Sequence, residues 1–297
     1  MEAWAEWTLA SAVFLALYDL AKKASVQNNA VLPTLLCSTC FGCAAYVGAL
    51  AMCGRMSDVS GLSAEVILLS AVKCIIVGTS WVFTFCALRT LPISIATPIR
   101  ASAPALVFVV AFVVYGERPS AVQLAGMAAV FAGYFAFSWA GKHEGIDFFR
   151  NRAVWCAIAG AFCSAISSLW DKYIFQVRGL PVEAVQFVFQ IGLVVFYGVS
   201  LALSRLALGR GKDRAFEWRW SIPMVGILLA AADWLYFTGL AFPDAPISAA
   251  SLLRRFSVVI TFVLGAKFFH ETNLVRKGIA LAAIIVGVVL ICTGGST

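Results

Sequence analysis

The stretch PISIATPIRASAPALVFVVAFVVYGE at residues 92–117 returns as PISAASLLRRFSVVITFVLGAKFFHE at 246–271. Pro92 matches Pro246, Arg100 matches Arg254 and Glu117 matches Glu271 at one constant offset. Each copy opens on a proline, carries an arginine eight residues into an apolar run, and closes on a glutamate. Landmarks on either side repeat as well. Leu17-Tyr18-Asp19 closes one apolar run and Leu169-Trp170-Asp171 another; Trp81 and Trp234 precede the shared proline at similar distances. An internal duplication of this kind sets the architecture before any local reading does.

The chain is 62% hydrophobic and 12% charged, far from the roughly 25% charged residues of a soluble domain. A bilayer core is spanned by about 20 mostly apolar residues. Ten such stretches are present, at 4–23, 31–53, 63–88, 92–115, 120–139, 153–175, 182–204, 219–241, 246–268 and 272–292. The expected fold is therefore an all-α integral membrane protein of ten transmembrane helices. It divides into one five-helix repeat over 1–140, a polar connection at 141–152, and a second five-helix repeat over 153–297. Consecutive repeats with an odd number of helices enter the membrane from opposite faces, so the pair is inverted about an axis in the membrane plane. The partners this implies are the lipid bilayer and a small-molecule metabolite. Little chain is left over for a soluble catalytic domain.

The N-terminal MEAWAEW carries Glu2 and Glu6 where a signal peptide needs basic residues, so the first run is expected to stay as a helix. Trp4, Trp7, Trp139, Trp155, Trp218 and Trp220 sit at segment ends, as an interfacial belt would place them. The formal charge of +7 is a matter of topology and not of nucleic-acid binding, because the cations lie mostly in connections. Lys22, Lys23, Arg89 and the cluster from Arg205 to Arg219 fall on the face opposite the termini. By the positive-inside rule both termini then lie outside the cytoplasm.

Cys37, Cys40 and Cys43 form a C-x2-C-x2-C run, but all three fall inside one apolar segment with no histidine near them. The expectation is packing, not a metal centre. His143 and His270 stand at segment ends, and no catalytic triad, metal-ligand set or cofactor motif is found.

The duplicated proline-led segment, its Gly-Glu and His-Glu ends, and the phrases YGERPSAVQLAGMAAVFAGYFAFS and FFHETNLVRKGIALAAIIVGVVLI resemble the drug/metabolite transporter superfamily, and within it the EamA-type permeases. The resemblance covers nearly the whole chain. It implies a central cavity between the halves and a multi-pass protein of the bacterial cytoplasmic (inner) membrane. It further implies export, with amino acids as the first guess, and both termini in the cytoplasm. On that last point it opposes the charge count. The chain departs from the family in its first segment, where Tyr18-Asp19 followed by Lys22 and Lys23 replaces a Trp-Gly pair and a later lysine.

Ionisable residues at membrane depth are costly, and each is a functional candidate. Arg100 lies about 12 Å beyond Pro92 along a helix, in the same third of the bilayer as Asp19. Asp171 and Arg254 occupy the matching third in the other repeat. Two symmetric gating pairs are expected, Asp19–Arg100 and Asp171–Arg254, with static pairs or snorkelling side chains as the plainer alternative. Lys73 and Asp233 fall near mid-membrane and have no counterpart across the repeat. They are candidates for a zwitterionic substrate, Asp233 on its amine and Lys73 on its carboxylate, with Trp81, Trp234, Tyr18 and Trp170 as aromatic walls. Alternatively Asp233 carries a coupling proton, or the two charges only neutralise each other. The function expected is secondary transport of small polar metabolites by alternating access, driven by a gradient since no P-loop is present. The rivals are a membrane enzyme or lipid-handling flippase subunit, for which no nucleophile or metal set is found, and a sensor that binds without flux.

Overall fold

The computed structural model describes residues 3–93, 95–96, 99, 120–142, 150–208, 215–242, 254, 256–268 and 274–293. Arg100, Pro98, Pro104, Glu117, His143, Arg255, His270 and Glu271 lie outside them. Among the described residues the long elements are nine α-helices: α1 (Ala3–Val26), α2 (Val31–Met52), α3 (Ala64–Thr90), α4 (Ala121–Lys142), α5 (Arg152–Lys172), α6 (Val182–Leu208), α7 (Ser221–Leu240), α8 (Phe256–Phe268) and α9 (Leu274–Thr293). They fall on nine of the ten apolar stretches. The remaining stretch, 92–115, lies mostly outside the described residues, so the count of ten rests on sequence. A π-helical turn, Tyr173–Val177, prolongs α5.

Local chemistry sets the boundaries. Ser63 accepts a hydrogen bond from the Val66 amide at 3.2 Å and starts α3; Asn151 accepts from the Ala153 amide at 2.8 Å and starts α5. These caps occupy amides that a helix start leaves without partners. At the other end of α3 the Lys23 ammonium donates to the carbonyls of Leu88 and Leu91 at 2.8 and 2.6 Å, a cation placed where the helix dipole is negative. Past α1, Asn28 takes a left-handed φ of 58°. Asn29 then bridges to the segment before α7, donating to the Glu217 carbonyl at 2.8 Å and accepting from its amide at 2.9 Å.

Among the described residues, five helical runs are long and apolar enough to cross a membrane: Val31–Met52, Ala64–Thr90, Arg152–Val177, Val182–Leu206 and Ser221–Leu240. Helix α1 has the length, at 24 residues, but Glu6, Asp19, Lys22 and Lys23 lower its hydropathy. The outer surface is apolar: Leu68, Ile75, Val195, Leu203, Leu206, Val275 and Ile279 are exposed. So large an apolar exterior suits lipid and not water. The cysteine run lies on α2, with Cys40 exposed on the outer face and Cys37 and Cys43 half-buried. Trp155, Trp218 and Trp220 are exposed at helix ends as a belt requires. The belt does not extend to Trp4, which is buried among Ile174, Val185 and Tyr236, nor to Trp7, whose ring meets Trp234 edge-on at 5.8 Å. The cause is the close antiparallel packing of α1 on α7, which carries the start of α1 into the core.

Helix pairing follows a two-fold pattern. Helix α1 packs on α7 and α3 on α5; α2 packs on α7 and α3 on α6. Exchanging α1, α2, α3 and α4 for α5, α6, α7 and α9 turns each pair into the other. The pairs α2–α6 and α4–α9 map onto themselves. Contacts of this symmetry lie almost wholly between the halves, so the core is the interface of two repeats. Where α4 and α9 cross, a side chain on Gly133 would meet Ile284 at 2.5 Å and one on Gly287 the Gly126 carbonyl at 2.5 Å, an approach only small residues allow.

Candidate functional site

A cavity of about 110 Å³ opens between the halves. Its walls are single helix faces. Leu15, Tyr18 and Lys22 come from α1; Lys73, Val77, Ser80, Trp81 and Thr84 from α3; Ser164, Ser167, Ser168 and Asp171 from α5; Leu229, Asp233, Tyr236 and Phe237 from α7. Steps of three and four keep each set on one line of its helix. Phe189 of α6 and Arg254, ahead of α8, complete the lining.

Among the described residues, two ion pairs stand in this cavity. The Lys73 ammonium meets the Asp171 carboxylate at 2.5 Å, with side-chain exposures of 1% and 8%. This pair joins α3 to α5 and so crosses between the halves. Arg254 meets Asp233 at 2.6 Å, and its guanidinium lies 4.0 Å from the centre of the Tyr236 ring. Arg254 Nε is buried with no hydrogen-bond partner among the described residues. A third pair, Lys22–Asp19 at 2.7 Å, stands at the α1 wall, with the ammonium 4.3 Å from the Tyr18 ring centre. Buried charges are tolerated only when compensated, and these three pairs balance formally.

The same faces of α3 and α5 that carry Lys73 and Asp171 also carry hydroxyls. Ser80 donates to the Gly160 carbonyl at 2.8 Å, Thr84 to the Ser80 carbonyl at 2.9 Å and Ser168 to the Ser164 carbonyl at 3.1 Å. Donation to the helix backbone leaves each oxygen free to accept. The cavity thus offers cations, carboxylates, hydroxyls and ring faces within one small volume, which is recognition chemistry for a small polar molecule.

Of the residues singled out in the sequence, Tyr18, Lys73, Trp81, Asp171, Asp233 and Arg254 line the cavity. Arg100 is outside the described residues, and Asp19 is fully buried beside Lys22. The expected direct pair Asp171–Arg254 is corrected: Asp171 is held by Lys73 and Arg254 by Asp233. Lys73 and Asp233 accordingly do not neutralise each other. Trp170 and Trp234 are turned away from the cavity, because a neighbour on a helix points about 100° from the residue before it. Trp170 donates to the Leu69 carbonyl at 3.0 Å, and Trp234 packs on Trp7. Lys22, the hydroxyl row, Phe189 and Phe237 are additions that the structure makes to the site. The row is legible in the spacing Ser164, Ser167, Ser168; Phe237 follows Asp233 by one helical turn.

Comparison with known proteins agrees with this architecture. No curated protein matches the chain in sequence. A crystal structure of another protein matches it with a TM-score of 0.65 at 20% identity, over 98% of this chain and 96% of that one, so the two share a fold. The model of the EamA-like transporter family matches twice, at residues 3–139 and again at 151–293. Two matched repeats, membrane-crossing helices and an apolar exterior describe a multi-pass integral membrane protein. With nearly the whole chain inside the two matches, it belongs to the EamA-like transporter family, whose members are membrane transporters of the drug/metabolite type.

Proposed function

We propose that this chain is a secondary transporter that exports small zwitterionic metabolites, amino acids among them, across a bacterial cytoplasmic membrane. It works by alternating access between inverted halves, and no P-loop in the sequence points to ATP as the driver. The observation that carries the reading is the pair of separate carboxylate–cation bridges in one cavity between the halves. A zwitterion brings both charges and inserts between the members of a bridge without adding net charge. The Asp233–Arg254 bridge is the more accessible, with Arg254 at 21%. The substrate amine takes Asp233, and its carboxylate takes Arg254, whose Nε has a donor to spare. The Lys73–Asp171 bridge, made across the halves, opens as they separate, and the Asp19 region serves the other face in the same way.

Counterflow in proteoliposomes, across a panel of amino acids, nucleosides and sugars, tests this. Wild type is expected to exchange one class, and Asp233→Asn to lose at least about tenfold of that exchange, the usual loss when a charged partner of a bound substrate is removed. Asp233→Glu should keep part of it. Exchange unchanged in Asp233→Asn, or none in folded wild type, sinks the reading. Exchange that persists but no longer varies with pH assigns Asp233 to proton coupling instead.

A further inference from the structure

The Lys73 ammonium occupies a box with an unusual division of labour. Its one hydrogen-bond acceptor among the described residues is Asp171, at 2.5 Å. The other sides are ring faces, with centres at 3.7 Å for Phe237, 4.8 Å for Phe189 and 5.5 Å for Phe175. All four walls belong to the second half of the chain: Asp171 on α5, Phe175 on the π-helical turn, Phe189 on α6 and Phe237 on α7. Only the ammonium comes from the first half. The box is therefore complete without Lys73, and separation of the halves would withdraw the plug and leave the walls standing.

The walls also say which cation fits. A plain ammonium has three N–H donors, and burying a donor without an acceptor is costly. This box gives it one acceptor. An N-methylated ammonium has few donors or none, and aromatic faces attract its charge directly. The π-helical turn is part of the fit, since it starts just past Asp171 and carries the buried Phe175; such turns recur where a helix is bent to a purpose. We infer that the box of Asp171, Phe175, Phe189 and Phe237 is a binding site for an N-methylated ammonium group, and that Lys73 holds it as a tethered occupant which an incoming cation replaces. The inference deepens the transport reading and rests on it for its purpose, while the binding can be measured without transport.

The test uses full-length protein in detergent with Lys73→Ala, and Lys73→Ser as a second variant. Either substitution leaves Asp171 buried beside an empty box. Tetramethylammonium chloride is the probe, against ammonium chloride, sodium chloride and the uncharged isostere 3,3-dimethylbutanol at equal concentration. Tetramethylammonium is expected to raise the melting temperature of the variants by about 5 °C at a concentration about 100-fold above its Kd. Wild type, where Lys73 competes for the box, should need at least about tenfold more tetramethylammonium for the same shift. Adding Phe237→Leu should weaken the response at least tenfold. Equal protection by sodium or ammonium would show charge compensation alone, equal protection by the isostere an apolar hole alone, and no protection of either folded variant no site; each overturns the inference. If neither variant folds, the readout is wild-type counterflow. Inhibition there by tetramethylammonium no stronger than by ammonium overturns the box. Protection without counterflow of any substrate would sink the transport reading and leave the box; counterflow without protection would do the reverse.

Discussion

Asp171→Asn will destabilise the protein by about 3–5 kcal/mol, and Lys73→Met combined with Asp171→Asn will recover most of that loss while exchanging no substrate. The first part follows from burial. Lys73 is 1% exposed and Asp171 8%, so removing the carboxylate leaves an ammonium in a low-dielectric interior with three ring faces and no hydrogen-bonded counter-charge among the described residues. Breaking a buried pair from one side costs about 3–5 kcal/mol, whereas replacing both members by neutral groups of similar size is often near neutral. Methionine fills the volume of the lysine stem and packs well on the rings of Phe237 and Phe189. Thermal unfolding in detergent, run as a double-mutant cycle, reads the coupling directly. Counterflow on the same samples separates function from stability. A bridge that only holds α3 against α5 would give a double variant both stable and active, and that outcome removes Lys73–Asp171 from the mechanism. A double variant as unstable as Asp171→Asn alone would mean the carboxylate has a second structural duty.

How much of this is legible in the sequence depends on the kind of fact. Helices and their order are open to reading, because length and hydropathy decide membrane spans and because the segment at 92–117 is written again at 246–271. The charges at depth are legible for the same reason, since so few ionisable residues fall inside apolar runs. Pairing is not. Depth along two helices can be counted from sequence, but which faces meet cannot. The apolar run puts Asp171 near the end of its helix, whereas the π-helical turn carries that helix on to Val177. Asp171 is thus about 9 Å inside the end, within one helical turn of the depth of Lys73, which lies about 13 Å into α3. There the Lys73 ammonium takes the Asp171 carboxylate, while Arg254 lines the same cavity and bonds Asp233 instead. Helix phase accounts for Trp170 and Trp234 in the same way. Each adjoins a cavity aspartate, and for that reason each points elsewhere. Lys22 is hidden on different grounds. Spaced three residues from Asp19 it makes a local pair, which the spacing alone offers, but its place near one end of the helix reads as topology instead.

The crossing of α2 on α7 sets the second large effect. A side chain on Gly226 would place its first carbon 1.8 Å from the Ser38 carbonyl oxygen and 2.6 Å from the Gly42 amide nitrogen, and one on Gly42 would come within 2.8 Å of the Gly226 carbonyl. The obstructing atoms are backbone, so no rotamer relieves the contact and the helices must part. Alanine carries no other change, which makes it a clean probe. Gly226→Ala is expected to cost about 3 kcal/mol or more, at or beyond the upper end for overpacking, and Gly42→Ala somewhat less. Gly48 lies on the same helix as Gly42, and a methyl added there would have nothing within 4 Å. Gly48→Ala should therefore be neutral or stabilising by up to about 1 kcal/mol from helix propensity. The contrast between two glycines six positions apart in one helix excludes a general intolerance of α2 to alanine. This crossing joins the two halves and adjoins the cavity through Leu229, one turn beyond Gly226, so parting the helices should also lower exchange. Melting temperatures of the three variants decide it: if Gly42→Ala and Gly48→Ala fall together, the close approach of α2 and α7 is not what holds the halves in register.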